Sequence, residues 1–178
     1  MHICPDCGNR DMVVRTADGA TIHECGLCGA RFGDRRAIEQ LADQEQAQQR
    51  GVPPLVWPLV RVLEQLPGLH VRDAGDGDAA PPTLPFVELG VADHRALQQI
   101  ENLVKSLQLG AAALRCHWIV EVEYRRHLAF VLKPRHGGGA VAAEFVREAR
   151  LDLEPLRRHV ERDRRLGWWR HAGDEPNR

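Results

Sequence analysis

Two cysteine pairs constrain this chain more than anything else in it. Cys4-Pro5-Asp6-Cys7 and Cys25-Gly26-Leu27-Cys28 are separated by 17 residues. Each C-x2-C turn presents two sulfurs on one side, and a hairpin between the turns brings the four together, which is the spacing of a four-thiolate zinc site with Cys4, Cys7, Cys25 and Cys28 as ligands. Gly8 and Gly29 follow the two pairs. There, close approach of backbone N–H groups to sulfur, or a positive φ, favours glycine.

The residues between the pairs supply the hairpin. Asp11–Arg15 and Thr21–Glu24 read as short strands around Ala17-Asp18-Gly19-Ala20, with Asp18 as a turn residue, because Asp-Gly is a strong tight-turn dipeptide. So small a hairpin has too little core to fold alone, and metal ligation must supply the missing free energy, about 10 kcal/mol for a structural zinc. Using all four thiolates closes the coordination sphere, whereas catalytic zinc needs an open position. Iron in a rubredoxin-like site is the alternative with the same ligand set. Two disulfides would suit an exported chain, and nothing in the sequence suggests export. A redox dithiol would need a strand-to-helix setting that neither pair has.

Cys4-Pro5-Asp6-Cys7-Gly8-Asn9-Arg10-Asp11-Met12-Val13, followed by Cys25-Gly26-Leu27-Cys28-Gly29, resembles the zinc ribbon of the transcription initiation factor B type. The likeness covers residues 3–33. It implies a zinc-ribbon fold, the four cysteines as ligands, and a role in docking to protein or nucleic acid. Charge helps to choose between those partners. Residues 1–36 hold five arginines and five acids, and four thiolates around a divalent ion add negative charge, so the module lacks the basic excess of a phosphate binder.

Asp34 caps a helix predicted to run to about Arg50, with Gly51 as its terminator. Its apolar stripe of Ala37, Ile38, Leu41 and Ala42 is narrow and gives way to a glutamine-rich stretch, the pattern of a spacer rather than a core helix. Val52-Pro53-Pro54 marks a boundary. The organisation expected is a ribbon at 1–33, a spacer helix at 34–51, a second domain at 52–170 and a flexible tail at 171–178.

That second domain reads as α+β. A helix over 55–66, a strand at 69–72, an acidic flexible loop over 73–85, a strand at 86–89 and a helix capped by Asp93 and closed by Gly110 come first. Alternation over Arg115–Glu123, a turn, and Leu128–Leu132 predict a hairpin. A helical region then spans 140–166, broken near Asp152 because Pro155 cannot sit in a helix interior. This order implies a four-stranded, mainly antiparallel sheet with flanking helices, and it resembles profilin-like and roadblock-type folds at the level of architecture.

Outside the ribbon, function is less legible. The net charge of −1 hides 10 basic and 15 acidic residues over 1–114 against 13 and 8 over 115–170. Such asymmetry suits anion binding on one face or packing of the two portions together. Arg157, Arg158, Arg162, Arg164 and Arg165 interleave with acids. With Arg115, Arg125, Arg126, Lys133 and Arg135 they form a conceivable basic surface. Cys116 reads as a buried core thiol. His136-Gly137-Gly138-Gly139 before a helix offers backbone N–H groups to an anion. His117 and His127 flank the hairpin, where with His70, His94 and Glu121 they would form an enzyme's polar cluster if they converged. Trp168-Trp169 is costly to leave in water and, with Arg125, Arg126 and Arg135, makes a candidate partner-binding set.

No run reaches the roughly 20 apolar residues that span a bilayer, and no basic-then-apolar leader opens the chain. The sequence therefore predicts a cytoplasmic, non-enzymatic, zinc-binding adaptor or assembly subunit. Its expected partner is a protein or a second copy of itself; no membrane or small-molecule substrate is inferred. A nucleic-acid-binding accessory factor using 115–170 is the alternative, and an enzyme built on the hairpin histidines the third reading.

Overall fold

In the computed structural model, residues 3–17, 19–110, 113–124 and 127–166 are described. The chain divides into two units, Met1–Gly51 and Val52–Arg178.

In the first unit, β1 (Met12–Ala17) and β2 (Ala20–Cys25) form the predicted hairpin, with Gly19 at φ 75° in its tip. A third strand, β3 (Arg31–Gly33), adds to β2 and completes an antiparallel sheet in the order β1-β2-β3. Three residues carry no period to read, so this strand was invisible in the sequence. Gly33 makes the pairing feasible, since a methyl group there would stand 2.6 Å from the Thr21 carbonyl oxygen.

Asp34 then caps α1 (Arg35–Gln49), its Oδ1 accepting the Ala37 N–H at 2.9 Å, and Gly51 takes a positive φ beyond the helix end. The spacer expected at 34–51 folds back instead. Ala37 packs with Ala17 and the fully buried Ile22, and Ala20, Ile38 and Leu41 extend the cluster. Glu45 reinforces it by binding Arg31 Nη2 at 2.6 Å, while Glu24 on β2 takes Arg31 Nε at 3.1 Å and Arg15 Nε at 3.0 Å. A narrow apolar stripe is enough to cover so narrow a sheet, which is why helix and ribbon make one unit.

The second unit is α+β around a four-stranded antiparallel sheet, as the sequence implied. Its elements are α2 (Trp57–Leu63), β4 (Leu69–Gly75), β5 (Asp78–Ala79), β6 (Pro82–Thr83), β7 (Phe86–Val91), α3 (His94–Gly110), β8 (Trp118–Tyr124), β9 (Leu128–Pro134), α4 (Ala143–Leu151) and α5 (Leu153–Arg165). The sheet order is β4-β7-β9-β8. β7 and β8 both run antiparallel to β9 and so share a direction, which obliges the chain to cross over between them through α3.

Cross-strand pairing sorts the side chains. Val71, Leu89, Phe130 and Val122 stand in one row, and Val87, Leu132 and Val120 in the next. Together with Trp118 these make the apolar face, most of it buried. The opposite face carries Asp73, Glu88, Val131 and Glu121 in one row and Glu123 beside them.

Residues 73–85 depart from the flexible loop expected. β4 continues to Gly75 and β5 pairs with β6 in a small hairpin, with Arg150 of α4 bound to Asp76 at 3.2 Å. The helical region over 140–166 breaks where Pro155 requires, between α4 and α5. Asp152 at the joint is fully buried, and its carboxylate accepts the N–H groups of Arg115 (2.9 Å) and Cys116 (2.8 Å) and the Trp118 indole N–H (3.2 Å). The break that proline forces thus also anchors the start of β8.

Candidate metal centre and polar clusters

The two knuckles fold alike. Gly8 N–H donates to Cys4 O and Gly29 N–H to Cys25 O, each at 2.9 Å, and both glycines hold φ near 70°, at 73° and 71°. Cys4 N–H closes its turn on Asn9 O and Cys25 N–H on Ala30 O. The sheet then brings the turns together: all four Sγ atoms lie within 4.8 Å of one another, with Cys4–Cys28 at 3.7 Å and Cys7–Cys25 at 3.5 Å.

Those separations test the fit of an ion. A tetrahedron of sulfurs each about 2.3 Å from a central zinc has edges of about 3.8 Å. The cluster can therefore hold one metal ion with little movement. Its electrostatics point the same way. Backbone N–H groups of Cys28 and Leu27, together with the neighbouring thiols, draw Cys25 down to about 6. At Cys7 the Asn9 N–H acts in that direction too, but burial and the neighbouring thiols outweigh it and push Cys7 up to about 12. Four thiols this close cannot all ionise without a cation among them.

Other sequence candidates do not converge. His117 precedes β8 and its carbonyl accepts the Arg135 N–H at 2.7 Å, whereas His127 precedes β9 at the opposite end of the hairpin. Seven residue pairs lie between them, roughly 25 Å at strand rise. His117 and His127 therefore do not meet. His117 lines a cavity of about 120 Å³ between α3 and β8, with Val104, Leu107, Gln108, Trp118, Ile119 and Val120. Among the described residues, no second titratable group lines that cavity. His127 Nε2 instead lies 3.2 Å from Glu88 Oε1 on the polar sheet face.

The basic set is largely committed to local acids. Arg157 binds Glu154 and Glu161, Arg158 binds Glu154, Arg165 binds Glu161, Arg115 binds Glu148, and Lys133 binds Glu121 and Glu123. Arg135 is exposed. The glycine run at 137–139 ends before α4, whose N-cap is Ala142, so it does not form the helix start that an anion would use. Arg125, Arg126, Trp168 and Trp169 lie outside the described residues, as does Asp18.

A buried polar cluster joins α3 and α5. Ser106 Oγ donates to Asp163 Oδ2 and lies 2.8 Å from His159 Nε2, all three residues being less than 8% exposed. The geometry fixes the imidazole tautomer. Arg162 Nη2 donates to His159 Nδ1 at 2.9 Å, so Nδ1 bears no proton; Nε2 carries it and donates to Ser106 Oγ at 2.8 Å, with Ser106 O a second acceptor at 3.2 Å. Serine and carboxylate both sit on the Nε2 side, so the carboxylate does not orient the ring as a catalytic triad requires. The cluster instead locks two helices together. His159 and Asp163 are four apart on one helix and were readable as neighbours, but nothing in the sequence pointed to Ser106.

Comparison with protein-family models, with curated proteins and with solved structures gives no match to this chain.

Proposed function

We propose that this protein is a zinc-binding interaction protein in which the ribbon and α1 form a docking module and the α+β domain is a second, separately folded part. The observation that carries the reading is the contrast at the cysteine cluster. The sulfurs are gathered into a closed four-ligand set, which leaves no position for a substrate, while large apolar side chains of the same unit face water. Leu27, at the apex of the second knuckle, is 72% exposed, Ile3 beside the first is 54% exposed, and Val13 and Val14 on the edge strand β1 are 47% and 60% exposed. A metal site that stabilises a small sheet needs none of these residues outside. An apolar fringe on a module of this size fits a protein surface.

The nucleic-acid alternative has less support, since Arg157, Arg158 and Arg165 of α5 and Lys133 are engaged by acids of their own unit.

Affinity capture with the intact chain, and with Leu27→Asp and Val14→Lys variants that still hold their metal, tests the proposal. A protein partner retained by the native chain and lost from both variants is the expected result. A native chain that runs as a monomer and retains nothing, or a partner held equally by both variants, overturns it.

A further inference from the structure

β4 carries a bulge opposite β7. The register pairs Val71 with Leu89 and next Asp73 with Glu88, leaving Arg72 as the extra residue. A bulge re-aims the side chain it carries. Here the guanidinium comes to lie over the backbone of Gly90 in β7. A methyl group built on Gly90 would stand 2.2 Å from His70 Nε2 and 2.6 Å from Arg72 Nε, so ring and guanidinium crowd the same point on the sheet. Gly90 has no left-handed backbone angle to explain a glycine. The residue is small because two polar side chains cross it.

These two groups are poorly occupied. One Arg72 N–H goes to Leu128 O at 3.2 Å, and among the described residues no carboxylate pairs with Arg72 or His70. Both are exposed. The remaining guanidinium donors form a rigid fork that matches tetrahedral oxyanions. Two residues along β7 from Gly90, on the same face, Glu88 is only 8% exposed and holds His127 at 3.2 Å. That buried carboxylate fixes a second imidazole at the border of the same patch.

From the bulge, the glycine floor and the paired imidazole we infer that this corner of the polar sheet face binds a single phosphate group borne by a small molecule, with Arg72 and His70 as its direct contacts. The charges around it argue for one phosphate over a polymer. Asp73, Glu121 and Glu123 share this sheet face, with Lys133 bound to the last two. A nucleic-acid backbone laid along it would meet these acids, whereas a terminal phosphate needs only the footprint over Gly90. The inference is independent of the ribbon's role.

Titration calorimetry of the full chain with inorganic phosphate and with glycerol phosphate, at constant ionic strength, tests it. Saturable one-site binding is expected for both, weakened about tenfold or more in Arg72→Gln, since a charge-assisted pair is lost, and similarly in Gly90→Ala. The alanine meets only the flexible ends of His70 and Arg72, so its circular dichroism and Tm should stay native; if one variant fails to fold, the other carries the comparison. No saturable binding of either probe, or binding untouched in the folded variants, overturns the inference. So does tighter, steeply salt-dependent binding of a single-stranded oligonucleotide that is lost with Arg72→Gln, which would assign the patch to nucleic acid.

Discussion

The Asp152 carboxylate accepts the Trp118 indole N–H at 3.2 Å across a fully buried joint. It also holds the main-chain N–H groups of Arg115 and Cys116, so one side chain between two helices sets where the edge strand β8 begins. Asp152→Ala leaves three donors, two of them buried, without their acceptor and should cost about 3 kcal/mol; Asp152→Asn, which keeps the volume and one carbonyl oxygen, should cost about half that. Urea unfolding followed by far-UV circular dichroism checks both values and their order.

The Ser106–His159–Asp163 cluster makes a second stability prediction. Ser106→Ala removes the hydroxyl that joins ring and carboxylate and should destabilise by about 1–3 kcal/mol. A double-mutant cycle with Asp163→Asn should show coupling of about 1 kcal/mol, because the two side chains share one buried network. Additive losses would mean that the contacts act independently.

For the cysteine cluster, elemental analysis should find one metal ion per chain, and cobalt substitution should give the thiolate charge-transfer band of a four-sulfur tetrahedral site. Chelation or Cys25→Ser should abolish amide protection in β1, β2 and β3, since the ion supplies about 10 kcal/mol to a sheet with a very small core. Protection in β7 and β9 should persist, because their core lies in the other unit.

Burial, helped by Asp152 and Glu148, pushes the Cys116 thiol up to about 11. A group that stays protonated in the folded chain while its unfolded counterpart ionises near 9 loses stability as pH rises between those values. The native chain should therefore resist alkylation at Cys116 at pH 8, read by peptide mass mapping. Its stability should fall from pH 9 to 11 more steeply than that of Cys116→Ala.

The acid side has the opposite sign. Arg157 and Arg158 hold the Glu154 carboxyl down at about 2, below its ordinary 4.5. Its contribution is present above pH 4.5 and is lost as pH falls toward 2. The stability difference between native chain and Glu154→Gln should shrink over that window, as measured by denaturation at successive pH values.

Local chemistry made much of this protein readable from its sequence. Two C-x2-C turns with their glycines announced the cysteine cluster, because those interactions span only a few residues and leave a fixed spacing. Asp34, Asp93 and Pro155 set helix boundaries for the same reason: caps and ring constraints act within one turn. Alternation around Trp118 exposed the hairpin. Tertiary structure decided what depends on partners far along the chain. A stripe of four apolar residues cannot say whether water or a sheet will meet it, so α1 became part of the ribbon only when Ala17 and Ile22 arrived against Ala37. Likewise the hairpin order placed His117 and His127 at opposite ends, and a bulge combined with a glycine on the neighbouring strand brought His70 and Arg72 over Gly90. Such encounters follow from strand register, which is fixed by the packing of the whole apolar face and by no residue alone.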